Sequence, residues 1–297
     1  MTIDNHSKSV IAKNLETLYT IFLDVFDFRR CEFAKELTTN NLATSSIDEI
    51  EQAANEVALR MVYKLNDTTF RPVFEGLMKW SMALRETDRS GSVRRLRSVF
   101  GFCFAFFSQL KSVVTSYAEY VVDNAVKVLQ GSVSLKNGEE RELWRRVLQT
   151  LASCFEHDQD GFWHADLRFR EVAKLLTEKL SLVTGAATGT AELQQDLITA
   201  IVELGASIDS PVQQRELNLG ILKTLRSEDV SVRLAAIRIE QALTDRVATE
   251  WMPQLPEMLP YIRELQDDDE EDVQRETDRW IVKIEAVLGV RLDSMLQ

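Results

Sequence analysis

Two stretches near the C-terminal end of the chain repeat one pattern of core-type residues. Residues at helical spacing in the first stretch recur after forty or forty-one positions in the second. The pairs are Leu219 and Leu259, Leu222 and Ile262, Leu225 and Leu265, Val232 and Val273, Ala236 and Thr277, Ile239 and Trp280, and Leu243 and Ile284. Each stretch predicts two amphipathic helices joined by a short loop, and this periodicity strongly restricts the possible folds.

A repeat of about forty residues that contains two helices is typical of HEAT-type arrays. The composition agrees, because 11 Gly and 5 Pro in 297 residues leave few turn signals, and a hydrophobic content of 45% supplies a continuous core. We therefore predict an all-α fold, a HEAT-type α-solenoid of antiparallel helix pairs. Such arrays usually bind other molecules and rarely catalyse reactions.

The helical pattern continues through most of the chain. One helix is expected from Ser7 to Asp27, and another after Thr68 or Thr69, with Pro72 near its first turn, where a missing N–H costs nothing. In the second half, helices are expected at 139–156, 164–183, 191–205, 211–226, 230–247, 252–265 and 271–288.

The clearest internal break lies near 131–138. We expect an N-terminal helical part at 1–130 and C-terminal HEAT-type repeats at 139–297, in one continuous solenoid with a second soft boundary near 184–190. The first 150 residues carry 20 Lys and Arg against 19 Asp and Glu, whereas the remainder carries 15 against 28. Because phosphate binding depends on neutralisation by basic side chains, any direct RNA contact is expected in the first half.

The cysteines and the hydropathy of the sequence indicate the cellular compartment of the protein. Cys31, Cys103 and Cys154 lie in apolar or helical runs, too far apart to indicate a disulfide framework, so we expect a reducing compartment. The polar N-terminal segment does not resemble a secretory signal. The most hydrophobic run, Val99 to Phe107, has about half the length needed to cross a bilayer, so no membrane is expected as a partner.

One cluster of titratable residues suggests chemistry. It consists of Cys154, His157, Asp158, Asp160 and His164. The spacing matches no zinc signature, and a polar loop between two helices is the simpler interpretation. The sequence contains no Gly-rich phosphate loop, nucleophile elbow or metalloprotease motif. We therefore expect no enzyme activity, no catalytic or metal-binding residue, no cofactor and no small-molecule substrate.

Five arginines form the densest basic segment of the sequence. They are Arg85, Arg89, Arg94, Arg95 and Arg97, and a Phe-rich stretch follows them. This basic segment is a candidate contact for RNA or for an acidic partner. The alternative is a solvated helix face whose charge is partly offset by nearby acids, followed by phenylalanines that belong to the core.

Six consecutive acids separate the two helices of the last repeat. They are Asp267, Asp268, Asp269, Glu270, Glu271 and Asp272. This acidic loop is a candidate docking site for a basic ribosomal or nucleolar protein. The alternative is an exposed loop whose last carboxylates favour the N-terminus of the following helix. The loop lacks the Gly and the ligand alternation of a calcium-binding EF-hand.

Three segments resemble one known family. The segment Lys64–Trp80, KLNDTTFRPVFEGLMKW, resembles the signature K-L-[SN]-[DE]-x-x-F-R-P-x-F-x-x-L-x-x-W of a domain in the very large HEAT-repeat protein of the small-subunit processome. Leu255–Leu265 and Ile284–Gly289 resemble the C-terminal end of the same family, the U-three-snoRNA-associated proteins of the UtpA subcomplex. The resemblance covers essentially the whole chain and implies that it corresponds to the C-terminal portion of these longer proteins.

The resemblance implies a non-enzymatic scaffold of the nucleus and nucleolus that supports pre-rRNA processing and 18S rRNA maturation. The partners it implies are other UtpA-type processome proteins, with pre-rRNA or snoRNA contacted within the particle, directly or indirectly. Two alternatives remain open. One is an RNA-binding module that uses the segment Arg85 to Arg97, and the other is a generic HEAT-repeat transport adaptor, since similar solenoids serve unrelated functions.

Overall fold

Apolar residues at helical spacing form the predicted helices. The computed structural model describes residues 5–34, 44–131, 136–183 and 190–292, and these residues contain no β-strand. The helices are α1 (Lys8–Lys13), α2 (Leu15–Phe26), α3 (Phe28–Ala34), α4 (Thr44–Val62), α5 (Asp67–Met82), α6 (Arg89–Leu110), α7 (Ala118–Gln130), α8 (Gly138–Glu156), α9 (Asp166–Val183), α10 (Ala191–Ser207), α11 (Pro211–Thr224), α12 (Val230–Val247), α13 (Leu255–Gln266) and α14 (Glu271–Leu288). Short 3-10 helices lie at Lys111–Tyr117, Phe162–His164, Ala248–Glu250 and Met252–Gln254. The predicted all-α class is confirmed.

The chain forms two compact units. The first comprises residues 1–128 and 137–150, and the second comprises residues 129–136 and 151–297. The predicted domain limits and the soft boundaries stay predictions. Residues 132–135 and 184–189, which fall within those boundaries, lie outside the described part of the chain.

The predicted helix from Ser7 to Asp27 is interrupted. Asn14 ends α1 and Asp27 ends α2. The side-chain Nδ2 of Asn14 donates to the backbone carbonyl of Val10 at 2.8 Å. Such side-chain bonds to the backbone compete with regular helix, which gives the break a local cause.

Helix α5 begins earlier than the sequence suggests. Asn66 is its N-cap, because the side-chain Oδ1 of Asn66 accepts a hydrogen bond from the backbone N–H of Thr69 at 2.9 Å. The first helical residue is therefore Asp67, not the residue after Thr68 or Thr69. Pro72 consequently lies inside the helix, beyond its first turn.

Helix α6 is the central helix of the first unit and contacts α2, α3, α4 and α5. Its buried phenylalanines are Phe100, Phe102, Phe106 and Phe107. The ring centroid of Phe106 lies 5.1 Å from that of Phe74 and 5.5 Å from that of Tyr117. The four buried phenylalanines of α6 confirm the prediction that the Phe-rich stretch belongs to the core. Phe104, in the same stretch, is half-buried.

The helical stretch Arg89–Gln130, which contains α6 and α7, is long and apolar enough to cross a membrane. Length and composition are the only grounds for a membrane span, and a buried core helix of a soluble protein has the same length and composition. The apolar side chains of α6 are buried against its neighbours, so α6 belongs to the core of the first unit.

The second unit is built from stacked helix pairs. Helices α9, α11 and α13 form one layer in which each contacts the next, and α10, α12 and α14 form the other in the same way. Helices that follow one another in sequence also contact across the layers: α9 with α10, α11 with α12, and α13 with α14. Short loops join α11 to α12 and α13 to α14, so these pairs are antiparallel. This is the predicted arrangement of a HEAT-type solenoid.

Six of the seven repeat pairs have both members buried in this stack. The first pair does not, because Leu219 is 36% exposed and Leu259 is half-buried. A step of three residues falls about 60° short of a full helical turn, so a series at this spacing drifts around the helix. The drift takes the first member of the series off the buried face. The bounds of α12 and α14 are those predicted from the repeat.

Candidate partner-binding surfaces

The five arginines of the basic segment do not form one exposed surface. Arg89 exposes 67% of its side chain, whereas Arg85 and Arg94 are half-buried. Arg85 donates to a backbone carbonyl of α7 at 2.9 Å. Arg95 and Arg97 expose only 8% and 11% of their side chains. Some arginines of the basic segment therefore lie on the surface and others lie in the interior.

Arg95 reaches from α6 to the end of α2. Its Nε and Nη2 donate to the two carboxylate oxygens of Asp27 at 2.8 and 3.1 Å, and its guanidinium lies 4.0 Å from the ring centroid of Trp80. Arg30 also donates to Asp27, at 2.8 Å. Burial raises the pKa of Asp27, but the hydrogen bonds and charges of Arg30 and Arg95 outweigh burial and hold this pKa below its ordinary value. Arg95 thus has a structural role in holding the first unit together.

Arg97 belongs to a second buried ion-pair network. The fully buried side chain of Arg29 donates to both carboxylate oxygens of Glu51, at 2.8 and 2.7 Å, and to Asp48. Arg97 donates to the same Asp48 and to Glu139, each at 2.8 Å. Burial lowers the pKa of Arg29, yet the surrounding carboxylates raise it above its ordinary value. Three carboxylates therefore neutralise two guanidinium groups, which join four helices of the first unit.

The candidate cluster between α8 and α9 is a polar loop. Cys154 is buried in α8, while His157 is half-buried and Asp160 is exposed. The carboxylate of Asp158 accepts two backbone N–H groups of the following 3-10 helix, each at 3.1 Å. His164 Nε2 lies 3.1 Å from a backbone carbonyl at the end of α10. Within the described ranges, no group of three or more His, Cys, Asp or Glu is placed to hold a metal ion.

The six acids of the acidic loop have different environments. Asp268 Oδ1 accepts a hydrogen bond from Arg233 Nη2 at 2.8 Å, and the two side chains are only 12% and 13% exposed. Asp272, in the first turn of α14, pairs with Arg275. The exposed members are Asp267, Asp269, Glu270, Glu271 and Asp272. Asp268 therefore anchors the loop, and the other five present charge to solvent.

Arg233 also connects this loop to the preceding one. Its Nη1 donates to the backbone carbonyl of Ser227 at 2.8 Å. Ser227 lies in the loop between α11 and α12, which also carries the exposed residues Glu228 and Asp229. Two successive loops of the stack thus bring exposed carboxylates to the same end of the second unit.

Ion pairs join neighbouring helices on the outer faces of the second unit. One layer carries Arg170 with Glu216 at 3.0 Å and Arg226 with Glu264 at 2.6 Å, and the other carries Arg246 with Glu203 at 3.3 Å and Lys283 with Asp245. Exposed pairs of this kind contribute little to stability, typically about 0–1 kcal/mol each. Their main effect is to keep the outer faces polar.

The first unit has a groove that the sequence analysis missed. It encloses about 460 Å³ between α4 and α6, next to Arg146 of α8. Its floor on α6 is a row of small residues at helical spacing, namely Ser98, Gly101, Ala105 and Ser108. A detectable signal existed in the sequence, because these positions share one face of a helix that is otherwise rich in phenylalanine.

Helix α12 carries a fully buried acid, Glu240. Its Oε2 accepts a hydrogen bond from Trp251 Nε1 at 3.1 Å. Burial raises the pKa of Glu240 to about 8, and the bond from Trp251 lowers it only in part. The side chain is therefore mainly protonated at neutral pH. Its role in the structure is to hold Trp251 at the turn between α12 and α13.

The chain matches the family model of the BP28CT (NUC211) domain over residues 10–163. It is 51% identical to U3 small nucleolar RNA-associated protein 10 of Chaetomium globosum, in an alignment that covers 100% of this chain and 17% of that protein. The proteins of the same name from Pyricularia oryzae and Neurospora crassa are 49% and 48% identical, and each alignment covers 99% of this chain and 16% of the relative. The chain thus spans about one sixth of the length of these curated relatives.

Among solved structures, a designed armadillo repeat protein in complex with the peptide (KR)4 has a TM-score of 0.43 at 14% identity, covering 82% of this chain and 95% of that one. A TM-score this low supports no conclusion about fold or function. The match to the BP28CT model, by contrast, includes more than half of the chain and the whole segment Lys64–Trp80. The chain therefore belongs to the BP28CT (NUC211) domain family, and the predicted resemblance to the U3 small nucleolar RNA-associated proteins is confirmed.

Proposed function

We propose that this chain is part of a non-enzymatic scaffold of the small-subunit processome, which supports pre-rRNA processing and 18S rRNA maturation in the nucleolus. The observation that carries the proposal is the similarity of the whole chain to U3 small nucleolar RNA-associated protein 10, at 51% identity. The name of that relative associates it with U3 snoRNA. This chain spans only 17% of the length of that relative. We therefore propose, for this chain, a part in the role of the whole protein.

The geometry supports binding to proteins. The second unit stacks helix pairs with polar outer faces, and stacks of this kind offer extended surfaces to partners. Its exposed carboxylates at the acidic loop fit a basic protein partner and repel phosphate, which favours protein contacts over direct RNA contacts in this unit. The partners we propose are other processome proteins of the UtpA type, with pre-rRNA or snoRNA contacted mainly through them.

The test uses the full-length protein that contains this chain, tagged in its own cells. After chemical crosslinking, we expect U3 snoRNA and processome proteins to co-purify, with crosslinked peptides joining this chain to other proteins. Microscopy should place the tag in the nucleolus. A cytoplasmic tag that co-purifies with transport factors would favour the adaptor alternative and refute the scaffold.

The acidic loop has its own test within the same experiment. Replacing Asp269, Glu270 and Glu271 by Asn, Gln and Gln removes exposed charge without touching the anchor Asp268. We expect crosslinks from the end of the second unit to a basic partner to be lost. Unchanged crosslinks would show that the loop is only a solvated connection.

A further inference from the structure

We infer that the groove between α4 and α6 binds an extended basic segment of a protein partner. The inference rests on the scaffold function proposed above and names a class of partner and a site for it. It starts from the shape of the groove. A cavity of about 460 Å³ remains open because α6 presents small side chains where it faces α4. At Gly101, an added Cβ would come no closer than 3.8 Å to its nearest neighbour, Nδ2 of Asn55, so the floor has room for a bound chain.

The charge of the groove selects the occupant. Its α4 wall carries four carboxylates, those of Asp48, Glu49, Glu51 and Glu56. Asp48 and Glu51 are already held by arginines of the first unit. Glu49 and Glu56 are exposed, and neither makes an ion pair with another residue that the structure describes. These two carboxylates are therefore available to cations from outside.

The basic side chains that line the groove do not offset these two acids. Arg97 is mostly buried and pairs with Asp48 and Glu139 at 2.8 Å. Arg146 pairs with Glu142 at 3.1 Å. Both guanidinium groups are held by carboxylates other than Glu49 and Glu56, although Glu142 is shared with Arg145. Glu49 and Glu56 keep their charge, so the open part of the groove next to α4 keeps a negative potential. That potential attracts Lys and Arg side chains and repels the phosphates of RNA.

The spacing of the free carboxylates fits an extended peptide. Glu49 and Glu56 lie seven residues apart on α4, which corresponds to about 10.5 Å along the helix axis. In an extended polyproline II segment, which has three residues per turn, side chains three positions apart point to the same side and lie about 9.3 Å apart. A segment with basic residues three positions apart therefore places one cation at each carboxylate. Gln52 and Asn55 lie between them on the same wall and offer amide groups to the peptide backbone.

The test is fluorescence anisotropy with the full chain and a labelled peptide that has Lys at every third position, separated by Ser and Ala. We expect saturable binding. The double variant Glu49→Gln and Glu56→Gln should weaken binding by about tenfold, as expected when two charge contacts are lost. The matched control is Glu171→Gln with Glu178→Gln, which removes two carboxylates at the same seven-residue spacing from α9. This control should bind like the unmodified chain.

A second pair of variants separates shape from charge. Gly101→Met fills the groove without changing any charge and should weaken binding as much as the α4 double variant. Gly101→Ala, whose Cβ meets only ordinary contacts, should bind normally. Circular dichroism checks that both variants are folded.

The inference is overturned if Gly101→Met binds the peptide normally, if the α9 control weakens binding equally, or if no saturable binding occurs. Binding of a single-stranded RNA that Gly101→Met abolishes would equally reject a basic peptide as the occupant. These outcomes are distinguishable from failure of the scaffold proposal, because peptide binding is measured on the isolated chain and processome partners are measured in cells.

Discussion

Arg95 of α6 and Asp27 at the end of α2 form a two-point ion pair, with nitrogen to oxygen distances of 2.8 and 3.1 Å. They are 68 residues apart in the sequence, so the pair fastens distant parts of the first unit. Because of this contact, Arg95 lies in the protein interior, although the sequence places it in the basic segment.

Arg95→Ala is expected to destabilise the chain by about 3 kcal/mol, because removing one member of a buried pair leaves the other poorly compensated. Denaturant unfolding followed by circular dichroism measures the change. Arg89→Ala is the control from the same segment, and it should change the free energy of unfolding by less than about 0.5 kcal/mol because Arg89 is exposed. Full stability of the Arg95 variant, together with loss of RNA binding, would instead support the RNA-binding alternative.

The buried acid of α12 predicts a pH dependence of stability. The pKa of Glu240 is about 8 in the folded chain, against an ordinary value of 4.5. As pH rises between these values, the unfolded chain loses this proton while the folded chain retains it, so the free energy of unfolding falls. Glu240→Gln cannot titrate and should lose this part of the pH dependence.

The measurement is urea unfolding at intervals from pH 5 to about pH 8, the range set by the two pKa values. Glu250→Gln is the control, because Glu250 is exposed next to Trp251. Parallel pH profiles for the unmodified chain and the Glu240 variant would refute the assignment.

Two leucines of α11 provide a matched test of the repeat core. Leu222 is fully buried and Leu219 is largely on the surface. Leu222→Ala should cost about 2–5 kcal/mol, because it leaves a cavity in the stack. Leu219→Ala should cost much less, although the two residues occupy equivalent places in the sequence pattern. Thermal or denaturant unfolding measures the free energy of unfolding of both variants. Equal losses of this free energy would contradict the exposed position of Leu219.

Within the acidic loop, Asp268 is the acid that anchors the loop, and the other five acids are exposed. Asp268→Ala should cost about 1–3 kcal/mol, because it removes the partner of the largely buried Arg233. Asp269→Ala, in the exposed part of the same loop, should leave the unfolding curve unchanged within error. Similar unfolding curves for the two variants would show that the contact with Arg233 does not hold the loop.

Local signals explain how much of the fold was predictable. The limits of α12 follow from its repeat pattern and from Asp229, whose Oδ1 accepts the backbone N–H of Ser231 at 2.8 Å. Those of α14 follow from the same pattern and from Gly289, which ends the helix in the left-handed region with φ of 69°. The break at Asn14 was missed because apolar periodicity continues across it, and a single side-chain hydrogen bond decides the outcome.

The candidate surfaces depend on partners that are remote in sequence. In the sequence, nothing distinguishes Arg95 and Arg97 from the exposed Arg89. Only their contacts with Asp27 and Asp48 place these two arginines in the interior. Those contacts arise from the way α2, α4 and α6 meet, which periodicity does not specify. The groove was missed for the same reason, since its floor and its acidic wall belong to different helices.

The two-layer stack of the second unit also limits how far a disturbance travels. Within each layer, a helix touches the helix two places before it and the helix two places after it, and α12 also touches α9. In such an arrangement, a ligand that stiffens one pair of helices acts directly on the adjacent pairs, and its influence fades with each further pair. Events at α13 should therefore be felt weakly at α10, so the two ends of the stack are able to engage separate molecules almost independently.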